Sequence, residues 1–128
     1  MEKKEYNKIS GIILNSAIEV HREIGPGLLE SVYEMCLIDE LKRYDLSAIN
    51  QVELPIVYKG KKLDKNFRID VLVENEIIIE LKTVDKILPV HEAQIISYLK
   101  LADKKLGFLI NFNVSLLKNG FKRFVNNF

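Results

Sequence analysis

Two acidic residues and one lysine near the middle of the chain have the types and spacing needed for metal-assisted chemistry. Asp70 lies in the apolar segment 67–73, and Glu80 and Lys82 lie in the apolar segment 77–82. Because side chains alternate between the two faces of a strand, Glu80 and Lys82 share one face. Carboxylate oxygens are the ligands that Mg²⁺ prefers, and a nearby amine can hold a water molecule or neutralise charge on a phosphate.

The register of these two strands decides whether the acidic side chains meet. A three-residue loop at 74–76 sets Asp70 directly across from Glu80, with Cβ atoms roughly 5 Å apart. A two-residue loop would put the two carboxylates on opposite faces, so we favour the three-residue loop. The same register predicts one shared apolar face, made by Phe67, Ile69, Val71, Val73, Ile77, Ile79 and Leu81.

Two neighbouring carboxylates repel each other unless positive charge lies between them, so this pairing predicts a divalent-metal site. The alternative is a surface salt cluster formed by Asp70, Glu80 and Lys82. The flanking residues are strongly apolar, which favours a partly covered site over solvated surface charges.

The rest of the pattern predicts an α/β arrangement. Apolar residues recur at helical spacing over 6–23 and again over 28–44, on either side of the breaker Gly25-Pro26-Gly27. Segments in which side chains alternate in polarity predict strands at 51–58, 66–73 and 77–84. Pro55 indicates that the first of them is an edge strand or contains a bulge. A helix should begin at Pro89 and end near Asp103. Strands at 106–114 and 121–125 follow.

Length and composition narrow the class of protein. The 128 residues fit a single domain over 1–128, and a formal charge of +1 gives no global cationic field. A nucleic-acid partner would therefore be attracted by a local patch or by bound metal. The lone Cys36 excludes an internal disulfide. Because there is no secretion signal and no apolar run long enough for a membrane, we expect a cytoplasmic protein.

Several segments resemble a known family. Asp70, followed after nine residues by Glu80-Leu81-Lys82, resembles the D…(D/E)XK motif of the PD-(D/E)XK nuclease superfamily. The segment 27–33, Gly-Leu-Leu-Glu-Ser-Val-Tyr, resembles the signature of the GxxExxY family within that superfamily. The similarity continues through 58–60, 94–99 and 109–112, so it covers nearly the whole chain.

This resemblance implies a restriction-endonuclease-like core, in which a mixed central β-sheet is flanked by helices. It also implies Mg²⁺ or Mn²⁺ bound by Asp70, Glu80 and the backbone carbonyl of Leu81. Glu30 matches a position where many members carry an additional acidic ligand, and Lys82 would orient the attacking water. The implied substrate is nucleic acid. One departure is Ile69, which stands where the motif has proline and leaves the ligands intact.

Four further side chains are candidates for contact with a substrate. Gln94 and Tyr98 resemble the QxxxY element of RecB-like nucleases, which lies beside the site; the alternative is a solvent-facing pair. Tyr33 shares a helix face with Glu30, and we expect it to pack in the core with its hydroxyl at the site edge. His21 precedes the turn that leads to Glu30, so it either approaches the site or caps its helix.

A run of lysines, Lys59, Lys61, Lys62 and Lys65, concentrates positive charge around one predicted turn. It either protects a sheet edge or contacts phosphates, depending on where it lies relative to the acidic site.

Taken together, these features favour a metal-dependent nuclease that hydrolyses phosphodiester bonds. The second interpretation is a non-catalytic module that binds nucleic acid or protein on the same fold. The third is a structural protein whose charges only decorate the surface. Because the chain is nearly minimal for such a fold, a homo-oligomer or a partner protein is also expected.

Overall fold

The computed structural model describes residues 1–128 and contains three helices and five strands. In chain order they are α1 (Lys3–Ile24), α2 (Glu30–Lys42), β1 (Ala48–Tyr58), β2 (Lys61–Val73), β3 (Ile77–Lys82), α3 (Pro89–Ala102), β4 (Leu106–Asn111) and β5 (Phe121–Val125). A single 3-10 turn (Leu117–Gly120) precedes β5. No helix is long and apolar enough to cross a membrane.

The five strands form one mixed sheet in the order β1-β2-β3-β4-β5. Only β3 and β4 are parallel, and α3 makes the crossover between them. Helices α1 and α2 pack on one face of the sheet and α3 packs on the other, each over its own buried apolar cluster. This arrangement confirms the predicted α/β class with a mixed central sheet flanked by helices.

The predicted turn between β2 and β3 is also confirmed. Val73 pairs with Ile77 and Val71 pairs with Ile79, so the loop has three residues. The backbone of Glu74 is in the left-handed region, with φ of 52°, and the backbone of Asn75 is in the same region. The sequence therefore predicted the register that places the two acidic residues beside each other on neighbouring strands.

The prediction of one continuous apolar face on β2 is wrong. Val71 and Val73 pack under α1 and α2, as expected, but Phe67 and Ile69 belong to the cluster under α3 together with Leu72. The odd-numbered residues of β2 therefore face α3 in the first half of this stretch and face α1 and α2 in the second half.

The physical reason lies at Gln51 on the neighbouring strand. Gln51 has a left-handed backbone with φ of 53°, and neither it nor Asp70 opposite takes part in the β1–β2 pairing, although the residues immediately on either side of them are paired. Before this point Asn50 reaches a carboxylate of α2; after it, Val52 packs against the cluster under α3. A left-handed residue breaks the alternation of side chains, so Asp70 sits where both strands change face.

Helix α3 is held close to the sheet at Gly107 on β4. A Cβ atom at this position would lie 3.1 Å from Ile95 Cδ1 and 3.2 Å from the backbone oxygen of Ile78. Glycine therefore permits a close approach of the helix that carries Gln94 and Tyr98.

We predict that Gly107→Ala lowers the free energy of unfolding by about 1–3 kcal/mol, because the added methyl group overpacks this contact. Chemical denaturation measures the change. Gly11→Ala is the matched control: nothing lies within 4 Å of a Cβ there, so alanine in the helix should raise stability by about 0.5–1 kcal/mol. Equal effects at the two positions would contradict the proposed close packing.

Candidate functional site

Asp70 and Glu80 meet where the regular pairing of β2 and β3 ends. The last backbone pair is Val71 with Ile79. One residue further, the Asp70 amide donates to Glu80 Oε2 at 2.9 Å, and the Leu81 amide donates to Asp70 Oδ2 at 2.9 Å. Each carboxylate thus replaces a main-chain carbonyl as an acceptor across the two strands. The second oxygen of each carboxylate accepts no hydrogen bond from the protein.

Burial and mutual repulsion disfavour the charged form of Glu80. Its side chain is only 3% exposed. Burial, followed by the charge of Asp70, raises the pKa of Glu80 to about 8, although the amide of Asp70 and the ammonium of Lys82 oppose the shift. At neutral pH the positive charge around this carboxyl group is therefore too small to keep it ionised.

The Asp70 carboxylate is in a similar position. Burial is the main cause that raises the pKa of Asp70, and the charges of Glu34 and Glu30 add to it. The Leu81 amide and Lys82 lower the pKa but do not offset the rise. A buried carboxylate beside a half-buried one, with too little positive charge nearby, forms a site that a divalent cation would stabilise.

An open cavity of about 390 Å³ lies between this pair and α2. It is lined by Glu30, Ser31, Glu34, Gln51, Arg68, Asp70 and Leu81. Glu30 is the first residue of α2 and is exposed to solvent, so its carboxylate is free to turn into the cavity.

The sequence analysis missed Glu34, which lies one helical turn after Glu30. Glu34 is only 8% exposed, and its carboxylate accepts hydrogen bonds from the side-chain amides of Asn50 and Gln51. Because residues four apart share a helix face, the spacing from Glu30 was a signal that could have found it. Glu34 ties α2 to the point where β1 changes face.

A second cavity, of about 460 Å³, lies on the α3 side. It is lined by Lys82, Val90, His91, Ala93, Gln94 and Ser97. Lys82 therefore shares a cavity with Gln94 and not with Asp70, yet its charge acts on both carboxylates. Asp70 thus borders the first cavity and Lys82 borders the second.

The predicted QxxxY pair adjoins this second cavity. Gln94 Nε2 donates to the Tyr98 hydroxyl at 2.9 Å. Burial, followed by the charge of Glu80, raises the pKa of Tyr98, so the phenol lies within electrostatic reach of the acidic pair. Gln94 and Tyr98 are thus brought to the site together with Lys82.

Tyr33 lies in the core and lines neither cavity. It is fully buried and stacks on Phe112, with ring centroids 4.4 Å apart. Its hydroxyl donates to the backbone oxygen of Gly25 and accepts the amide of Leu28 at 3.2 Å. Tyr33 therefore fixes the loop that leads into α2 and to Glu30.

The structure does not bring His21 to the acidic pair. His21 Nε2 lies 2.7 Å from the backbone oxygen of Val114, near the end of α1. The cavity beside it is formed by α1 and the segment 115–118, and it shares no residue with the other two. The second histidine, His91, accepts the Leu88 amide and caps α3.

The donor set can be tested against a divalent cation. No three His, Cys, Asp or Glu side chains are grouped closely enough to hold a metal ion by themselves. The chain instead offers a free oxygen on each of Asp70 and Glu80 and the backbone carbonyl of Leu81. Mg²⁺ is commonly bound by one or two carboxylates, with water and substrate phosphate completing its shell, so this set fits Mg²⁺ or Mn²⁺.

Comparison with known proteins identifies a family and a similar fold. A family model described as the PD-(D/E)XK nuclease superfamily matches residues 7–124. The crystal structure of SSO0001 is similar to this chain, with a TM-score of 0.50 and 26% sequence identity. That similarity covers 74% of this chain and 48% of the other, so the chain spans about half the length of SSO0001. No curated protein matches the sequence.

We predict that the metal-free protein loses stability as pH rises from about 5 to 8. The folded state keeps a proton on Glu80 up to a pKa of about 8, whereas the unfolded chain releases it near its ordinary value of 4.5. Between these values the native state binds more protons, so raising the pH favours unfolding. Each pKa unit is worth about 1.4 kcal/mol, so the loss should reach a few kcal/mol.

Urea denaturation in EDTA at several pH values measures this dependence. Glu80→Gln should flatten it, because the amide does not titrate. The exposed Glu23 provides the control, and Glu23→Gln should keep the wild-type dependence. A wild-type profile that rises from pH 5 to 8 would show that the Glu80 carboxylate is stabilised by charges we have not identified.

Proposed function

Because the chain belongs to the PD-(D/E)XK nuclease superfamily, we propose that it is a divalent-metal-dependent nuclease that hydrolyses phosphodiester bonds in nucleic acid. Members of this superfamily generally use divalent metals such as Mg²⁺, and their substrates are nucleic acids. The observation that carries the proposal is the pair of reciprocal hydrogen bonds that holds Asp70 beside Glu80.

In this proposal Asp70, Glu80 and the Leu81 carbonyl hold Mg²⁺ or Mn²⁺. The bound metal would supply Lewis-acid stabilisation of charge on the phosphate. The backbone hydrogen bonds hold one oxygen of each carboxylate in place and leave the other oxygen without a protein partner. The two carboxylates are therefore held in position before a cation binds.

Lys82 is proposed to act from the α3 side of the same centre. Its ammonium is close enough to lower the pKa of both carboxylates, and it lines the cavity that contains Gln94. A cation in this position can orient the attacking water and neutralise charge that develops on a phosphate oxygen. Gln94 and Tyr98, which bind each other, would line the path of the substrate strand.

The segment 27–33 supports placing the chain in the GxxExxY branch of the superfamily. Gly27 has φ of 95°, a conformation that favours glycine. Glu30 lines the cavity beside Asp70, and Tyr33 anchors the loop through its hydroxyl. The three residues of the signature thus act together: the first permits the turn, the last fixes it, and Glu30 is presented to the site.

Glu30 is proposed as an additional acidic residue of the metal site, acting directly or through water. It is exposed and has no hydrogen-bond partner in the protein, whereas Glu34 in the same cavity is already bound by two amides. The two glutamates therefore have different roles. Glu30 is available to a cation, and Glu34 supports the structure.

We predict that Asp70→Asn and Lys82→Ala each lower the cleavage rate at least about 100-fold, while the fold is retained. Loss of Asp70 removes a ligand, and loss of Lys82 removes the ammonium that orients water. Cleavage of labelled DNA and RNA in Mn²⁺ measures the effect, and Asp39→Asn, an exposed residue of α2, is the control. Cleavage by either variant at the wild-type rate would refute the assignment.

The same variants separate an enzyme from a binding module. Mn²⁺ should raise the melting temperature of the wild type and of Asp39→Asn, but not that of Asp70→Asn, because a ligand that binds only the native state stabilises it. A binding module or a structural protein would show no Mn²⁺ stabilisation that depends on Asp70.

We predict opposite outcomes for the two glutamates of α2. Glu30→Gln should weaken Mn²⁺ binding about 10- to 100-fold without lowering the stability of the metal-free protein. Glu34→Gln should lower the metal-free stability by about 1–3 kcal/mol, since it weakens charged hydrogen bonds to Asn50 and Gln51. Calorimetric metal titration and urea denaturation measure these changes. A common phenotype for the two variants would contradict the division of roles.

A further inference from the structure

The hairpin formed by β1 and β2 extends well beyond the rest of the sheet. Strand β3 ends at Lys82, which the β2–β3 register places level with Arg68, whereas β1 and β2 stay paired as far as Tyr58 and Lys61. We call residues 53–68 the arm. At about 3.3 Å per residue, the seven steps from Arg68 to Lys61 carry the arm about 23 Å beyond the end of β3.

The arm concentrates unpaired positive charge in a short segment of the chain. It has five basic side chains (Lys59, Lys61, Lys62, Lys65 and Arg68) against two acidic ones (Glu53 and Asp64), although the whole chain has a net charge of only +1. All five are exposed, and none forms an ion pair, whereas the ion pairs of the protein involve Arg22, Arg43 and Lys122. The arm is therefore a local cationic patch whose charges are available to an anion.

Its tip also exposes an aromatic ring. Tyr58 is 61% exposed, and Lys59 Nζ lies 5.6 Å from the centroid of that ring. Lysines alone would be enough to protect a sheet edge from pairing with another chain. An exposed tyrosine next to a free lysine adds a surface on which a nucleobase can stack while its phosphate meets the ammonium.

The basic residues run from the tip back to the acidic site. Arg68 lines the same cavity as Asp70, and its charge also reaches Tyr98. Lys65 and Lys62 follow Arg68 along the same strand, about 10 Å apart, which is the length of three residues. Because side chains alternate, Arg68 and Lys62 share one face of the strand and Lys65 lies on the other, so cations extend along both faces of the arm from the site toward its tip.

We propose that the arm binds the phosphate backbone of a nucleic acid on one side of the cleavage position, without selecting its bases. This assignment rests on the proposed nuclease function for the nature of the ligand. At 3.4 Å per base along one strand, 23 Å corresponds to about seven nucleotides. The substrate is thus a polynucleotide that continues at least this far beyond the cleaved bond.

Binding is tested first, without cleavage. Fluorescence polarisation of a labelled 30-nucleotide duplex and of its single strand is followed in EDTA at rising salt concentrations. The triple variant Lys59→Gln, Lys61→Gln, Lys62→Gln should bind more weakly, and the slope of log K against log salt should fall by about 2 to 3. The corresponding triple arginine variant should keep the wild-type slope, because it keeps the charge.

The control triple variant is Lys4→Gln, Lys8→Gln, Lys105→Gln, which removes the same charge at the other end of the sheet. Tyr6, between the first two, bonds to Glu76 in the β2–β3 turn, and Lys105 precedes β4 beside the start of β3. This variant should bind nearly as the wild type does. Equal loss of affinity and of salt dependence in the two glutamine variants would overturn the proposal, as would an absence of binding by the wild type.

Cleavage in Mn²⁺ then tests the length requirement. The ratio of kcat/KM for a 30-nucleotide substrate to that for an 8-nucleotide substrate should fall at least tenfold in the arm variant and stay at the wild-type value in the control. An unchanged ratio in an active enzyme would overturn the role of the arm and leave the nuclease function standing. Arm-dependent binding by a protein that cleaves nothing would instead refute the nuclease function alone.

Discussion

The site depends on two hydrogen bonds between a side chain and the backbone across strands β2 and β3. The Asp70 amide binds the Glu80 carboxylate, and the Leu81 amide binds the Asp70 carboxylate. These bonds continue the cross-strand hydrogen bonding beyond the last backbone pair. The two acidic side chains are therefore held side by side by the same kind of interaction that holds the sheet together. Burial, together with the charges of neighbouring carboxylates, raises the pKa of both, which makes the pair a receptor for positive charge.

The rest of the fold stabilises this local interruption of the backbone hydrogen bonding between strands. A regular strand would continue to pair its backbone, but Gln51 adopts a left-handed conformation opposite Asp70 and interrupts the pairing. Such a conformation persists only where its surroundings hold it. Here the Gln51 amide is bound by the buried carboxylate of Glu34 on α2. The loop that starts α2 is held in turn by Tyr33, so the helix, the strands and the acidic pair constrain one another.

Much of this arrangement could be predicted from the sequence. Periodicity, Pro89 and the apolar run at 106–114 together identified the helices and strands, although β2 begins at Lys61 and not at 66. The length of the β2–β3 loop followed from the need to keep apolar residues buried. That register placed Asp70 beside Glu80 on the neighbouring strand, because the alternation of side chains along a strand is fixed by its backbone. The D…(D/E)XK spacing, with its family resemblance, then indicated the chemistry.

Tertiary structure alone decided the parts that depend on contacts between distant elements. A left-handed glutamine in a strand has no composition signal, so the change of face at Gln51 and the grouping of Phe67 under α3 could not be read from periodicity. The burial of Glu34 and the distance of His21 from the acids follow from how α1 and α2 lie on the sheet. Sequence by itself determines local geometry because backbone sterics act over a few residues, whereas burial is set only when the whole chain packs.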